Sequence, residues 1–122
     1  MTIQLASYLR SHRKKCGLSQ RELALILGTL SEGQVSKHER SVSIPPLLVA
    51  LGYEVVFCAS LATLFPGIYE TVRLGVEERL STLESELQQS TAKGQKAALI
   101  ARKLEWLWER RNSEFIRPTD DE

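Results

Sequence analysis

Between two glycines, Gly17 and Gly28, the chain reads Leu18-Ser19-Gln20-Arg21-Glu22-Leu23-Ala24 and later Leu27. That punctuation leaves little conformational choice. Glycine takes positive φ without a Cβ penalty, so Gly17 suits the end of one helix and Gly28 the end of the next. Ser19 and Glu22 have the spacing of a capping box, which starts a helix. Ser31 can cap a third. Ala24 is small where a partner helix has to come close. The order and spacing of these signals predict three short helices joined by tight turns.

Five groups of residues extend the pattern: Leu9-Arg10-Ser11-His12-Arg13, Gly17-Leu18-Ser19-Gln20, Glu22-Leu23-Ala24, Leu27-Gly28 and Val35-Ser36-Lys37-His38-Glu39-Arg40. With the proline that follows at Pro45 or Pro46, they resemble the Cro/lambda-repressor-like family, also called XRE-type helix-turn-helix proteins. The resemblance covers roughly the first half of the chain. It implies an all-α fold in which a five-helix lambda-repressor-like DNA-binding domain places its third helix in the major groove of duplex DNA.

The apolar pattern is helical almost throughout. Helix one is expected from about Ile3 to Cys16, with Leu5, Leu9 and Cys16 on one face. Helix two is expected from about Gln20 to Leu27, burying Leu23, Ala24 and Leu27. Helix three should run from about Glu32 to Arg40 with Val35 inward. Pro45-Pro46 favours extended backbone and then a helix start, giving helix four from about Leu47 to Phe57. A short fifth helix, Leu61 to Phe65, closes a domain of residues 1–67. Residues 68–122 are expected to form a C-terminal oligomerisation or partner region ending in a frayed acidic tail. There, Tyr69, Val72, Val76, Leu80, Leu83 and Leu87 recur at steps of three and four, an amphipathic stripe. After a break at Ser90 to Gly94, Ala97, Ile100, Ala101, Leu104, Leu107 and Trp108 share one face of a second amphipathic helix. Leu99 and Trp106 point the other way. Residues 68–112 fit either a hairpin or one long helix.

The formal net charge of the 122-residue chain is only +1, which by itself selects no partner. Its distribution is more telling: residues 1–67 hold seven Lys/Arg against four Asp/Glu, and residues 68–122 hold nine against eleven. The positive excess therefore lies in the half that carries the motif, as phosphate contact requires. Cys16 and Cys58 lack metal-ligand spacing and are expected to be small buried apolar side chains, so no metal and no cofactor are expected. No secretory leader is visible, and no apolar run approaches the ~20 residues of a membrane span. A cytoplasmic protein without membrane association is expected. No nucleophile–base constellation points to an enzyme.

The resemblance assigns roles to individual residues. Glu32, Gly33 and Lys37 match base-reading positions on the exposed face of helix three, with Gln34 and Ser36 beside them. Lys37 can donate to guanine O6 and N7, and Glu32 can accept from cytosine N4. Gly33 permits close approach. Gln34 has two roles open to it, a base contact or the capping partner of Ser31. Gln20, at the first turn of helix two, matches a phosphate clamp, and Ser36, Arg40 and Ser41 are further phosphate candidates. Arg13 and Glu39 match an ion pair joining helix one to helix three. The turn Gly28-Thr29-Leu30-Ser31 is one residue longer than the family's usual turn, with Leu30 filling an apolar slot. His12 and His38 are read as half-buried packing residues.

The leading expectation is a sequence-specific double-stranded DNA-binding transcriptional regulator, a homodimeric repressor whose dimer interface includes Leu99 and Trp106. The alternative is an antitoxin-type autoregulator whose C-terminal helices bind a partner protein.

Overall fold

A computed structural model describes residues 7–28 and 30–113. Seven α-helices and no strand are found among them: α1 (Leu9–Lys15), α2 (Gln20–Leu27), α3 (Glu32–Glu39), α4 (Leu47–Phe57), α5 (Leu61–Leu64), α6 (Pro66–Gln88) and α7 (Gln95–Arg111). The chain divides into two compact units between Thr71 and Val72.

The helix ends of the first unit follow from local chemistry. Cys16 ends α1 and Gly17 turns the chain away at φ 77°. Ser19 and Glu22 form a reciprocal capping box at α2, Ser19 Oγ accepting from Glu22 N at 3.0 Å and Glu22 Oε1 accepting from Ser19 N at 2.9 Å. Gly28 ends α2 in the left-handed region at φ 82°. Pro46 opens α4, and Ser60 caps α5 by accepting from Thr63 N. Only Phe65 separates α5 from α6: Pro66 is the first residue of α6, a position where its missing N–H and fixed φ cost nothing, so the long helix starts at Pro66 and not beyond Gly67.

These helices close over one core. Leu9, Leu23, Val35, Tyr53 and Leu64 have no exposed surface, and Ala24 and Phe65 complete the cluster. Leu27, Leu30 and Ile68 pack against it, so Leu30 fills the apolar slot after α2 and the start of α6 serves the first unit. Gly52 lets α2 and α4 approach closely, since a Cβ there would lie 2.7 Å from Leu27 Cδ2. Tyr8 N donates to Leu64 O at 2.8 Å, and Leu61 N donates to Glu54 Oε1 at 3.0 Å, tying the segment before α1 and the end of α4 to α5.

His38 is 4 % exposed and its Nδ1 is hydrogen-bonded to Tyr53 Oη at 2.7 Å, with the two rings edge to face. Burial lowers the His38 pKa from the ordinary 6.5. Burial, and next the Glu39 carboxylate, push the Tyr53 hydroxyl up. The unfolded chain therefore binds a proton at His38 at a higher pH than the folded chain does, and stability must fall as pH drops through 6.5 toward the folded value. Urea unfolding between about pH 7 and pH 5 should show this loss, and His38→Gln should flatten it. An unchanged slope in that variant would assign the loss to other groups.

Several expectations need correction. Ser7 and Tyr8 are not helical, so α1 begins at Leu9 rather than near Ile3; Tyr8 N is spent on Leu64 O, which sets the start. Ile3 and Leu5 lie outside the described residues. Cys16 and Cys58 are exposed, not buried. Each sits where a helix ends and the chain turns outward, Cys16 before Gly17 and Cys58 itself at φ 51°. His38 is buried rather than half-buried.

In the second unit the chain reverses between Gln89 and Gly94, where Gly94 has φ 71°. Arg110 pairs with Glu77 at 2.6 Å and Arg111 with Glu84 at 2.5 Å, which brings the end of α7 against the middle of α6. The hydrogen bond to Glu77 raises the Arg110 pKa. Residues 68–112 are thus two helices joined by a turn, not one long helix. Leu107 is buried in this unit, and Ala97, Ile100 and Leu104 are half-buried. Trp108 departs from the expected inner face: it is 61 % exposed. One residue beyond Leu107 is a rotation of about 100°, enough to carry a side chain off the seam. The α6 stripe is only partly covered, with Val72, Val76 and Leu83 exposed.

Candidate nucleic-acid interface

The exposed side of α3 is built from its capped end outward. Ser31 Oγ accepts from Gln34 N at 3.2 Å, and Gln34 Oε1 accepts from Ser31 N at 2.8 Å. Of the two roles open to Gln34, the structure therefore displays the cap. While that bond stands, its carbonyl oxygen is unavailable to an adenine edge. The buried residues Val35, His38 and Glu39 fix which side of α3 faces the core. Glu32, Gly33, Lys37 and Arg40 are left exposed, and Ser36 is half-buried between them. Glu32 lies in the first turn, where the helix dipole favours its negative charge, and Lys37 lies in the last turn, where the dipole favours a cation.

Beside α3, the N-terminal turn of α2 and one face of α1 complete an open cleft of about 450 Å³. Its walls are Arg10 and Arg13 from α1, Ser19 and Gln20 from the start of α2, and Glu32, Ser36, Glu39 and Arg40 from α3. Three of the four positions expected to meet phosphate, Gln20, Ser36 and Arg40, thus border one concavity. Arg40 Nε donates to Ser36 Oγ at 3.2 Å, which holds the guanidinium along the cleft. Ser41 lies just beyond α3 at φ 59° and its N–H bonds to His38 O, placing it outside that lining. Arg10 is a contributor without an assigned role in the sequence reading. Its signal was available: it stands one helical turn before Arg13 on the same face of α1.

The floor of the cleft is a buried charge network. Arg13 Nε donates to Glu39 Oε2 at 2.5 Å and Arg13 Nη2 to Glu39 Oε1 at 3.2 Å, a two-pronged pair whose residues are each 8 % exposed. The third prong, Arg13 Nη1, donates to Leu18 O at 2.8 Å. The hydrogen bonds to Glu39 raise the Arg13 pKa, so it stays charged. Gln20 Nε2 also donates to Glu39 Oε1, at 3.0 Å. One carboxylate therefore fastens α1, α2 and α3 together. Gln20 has a second job that spacing alone does not reveal: its amide nitrogen holds the scaffold through Glu39 while the residue also lines the cleft.

Among the described residues no cluster of His, Cys, Asp and Glu could hold a metal ion, and no helix is long and apolar enough to cross a membrane. Residues 9–57 match a family model described as helix-turn-helix. No curated protein and no solved structure matches the chain.

Proposed function

Through residues 9–57 this chain belongs to the XRE, or Cro/lambda-repressor-like, helix-turn-helix family of DNA-binding transcriptional regulators, and from that premise we propose that it is a cytoplasmic repressor that reads a specific duplex sequence as a homodimer. The observation that carries this reading is the pairing of two surfaces on one rigid frame. The outer face of α3 presents Lys37, Glu32 and Gly33, a narrow set of a size to enter the major groove. The adjoining cleft offers Gln20, Ser36 and Arg40, with Arg10, to the phosphate backbone. Ser41 adds a hydroxyl at the far end. Phosphate contacts set position and base contacts set sequence, so the two surfaces divide the work.

Lys37→Ala tests the assignment. It should weaken binding to the preferred duplex by about 1 to 3 kcal/mol and relax preference at one position in each half-site. Selection of bound sites from random duplex DNA, before and after the substitution, reads this directly. Equal weakening on every sequence would make Lys37 a phosphate contact instead.

A single short helix reads few base pairs, so specificity calls for two half-sites and two copies. The second unit supports that. Leu99 is 50 % and Trp106 49 % exposed, and large apolar side chains on a helix surface are interface anchors. The same exposure also fits the alternative of an antitoxin-type autoregulator in which α7 holds a partner protein. A second chain of different sequence co-purifying in fixed stoichiometry would favour that alternative.

A further inference from the structure

The outer face of α4 is as apolar as a core and is not covered. Leu47, Leu48, Leu51 and Val55 follow one another at helical steps of one, three and four, and Leu48 and Val55 are 82 % and 77 % exposed. On α2, which packs on α4 through Leu27 against Gly52, Leu25 and Ile26 are exposed as well. Burying one such side chain fully removes roughly 100 Å² of apolar surface, so these six present on the order of 400 Å². One partner in a standard interface contributes about 800 Å², somewhat over half of it apolar. The face therefore has the apolar content of one side of such an interface, more than a solvated surface needs.

We infer that this face binds the same face of a second copy about a two-fold axis. Such a contact sets a face against its own copy, with residues near the axis meeting their duplicates, so a face carrying charge of one sign would repel itself. On α4 there is almost none: Glu54 is its single charged residue, and its carboxylate is held by Leu61 N at 3.0 Å. On α2 the exposed Arg21 and Glu22 stand one turn from Leu25 and Ile26 and are of opposite sign, so each can meet the other's copy across the axis. The face is also turned away from the DNA-reading side. Tyr53, which bonds His38 of α3, lies nearly half a turn around α4 from Leu51. Pairing through α4 leaves both copies of α3 open. Resting on the dimer proposed for the second unit, this contact joins two dimers into a tetramer able to hold two operators.

Leu48→Glu combined with Val55→Glu tests the contact on the full chain, because both positions are exposed enough to accept charge without loss of fold. In sedimentation at tens of micromolar, the unsubstituted chain should run as a tetramer and the double variant at half that mass. Its circular dichroism and its binding to one operator should be unchanged. A mixture of Leu48→Glu chains with Leu48→Lys chains should regain the tetramer, since opposite charges then meet across the axis. If the double variant and the unsubstituted chain have equal mass, the contact does not exist, and the dimer of the second unit stands or falls separately on Trp106→Glu. If the Glu variant alone halves the mass while Trp106→Glu does not, the α4 contact holds and the dimer reading is the one that fails.

Discussion

Glu39→Ala should lower the free energy of unfolding by about 3 to 5 kcal/mol, because it strands a buried positive charge. Arg13 and Glu39 are each 8 % exposed, and Glu39 accepts from both prongs of Arg13 and from Gln20. Deleting the carboxylate leaves Arg13 with one neutral acceptor, Leu18 O, and leaves the Gln20 amide without Glu39. Replacing both charges is a different matter. The double variant Arg13→Met with Glu39→Leu removes the cost of taking two ions out of water, and it should recover most of the lost stability. A double-mutant cycle by urea unfolding separates these cases. A single-variant loss below about 1 kcal/mol would mean that the pair is as solvated as an ordinary surface bridge. The consequence reaches function, since Glu39 is the last residue of α3 and its bonds hold that helix on α1 and α2. Glu39→Ala should weaken operator binding even where the fold survives, whereas the apolar pair should restore part of it.

Trp106→Glu should halve the mass of the assembly and abolish cooperative filling of two half-sites about 34 Å apart. Linking two weak contacts commonly raises affinity by a factor of about 10² to 10⁴, and that factor is what the variant should lose. Trp106 is 49 % exposed, so a carboxylate there has water available and the fold should persist. Sedimentation and operator titration read the two effects independently. Unchanged mass would refute the interface, and unfolding would place Trp106 in intrachain packing.

The end of α1, both ends of α2 and the start of α3 were legible because their determinants are local, whereas the start of α1 is set by the long-range bond from Tyr8 N to Leu64 O. Ser19 with Glu22, Ser31 with Gln34, and the positive φ at Gly17 and Gly28 are each settled within four or five residues, by backbone hydrogen bonds that need no distant partner. The exposed face of α3 was legible for the same reason, since one buried residue, Val35, sets the phase of a helix. The pairing of Arg13 with Glu39 spans 26 positions, and only the resemblance to a known family pointed to it.

Other features were decided by tertiary structure alone. Gln20 was read as a phosphate contact, and nothing near it in sequence says that its amide also bonds Glu39. The bond between His38 and Tyr53 joins helices whose separation in the chain carries no pattern. Cys16 and Cys58 were read as buried and Trp108 as sharing a face with Leu107, yet composition and periodicity do not say whether a neighbour arrives to cover them. The outer face of α4 makes the same point. The 11 residues of that helix are apolar but for Glu54, and only the fold shows that Leu47, Leu48 and Val55 stay exposed among the described residues. Periodicity and capping are short-range and determine where helices start, stop and turn. Burial and hydrogen-bond partners depend on which helices meet, which the sequence specifies only through the folded whole.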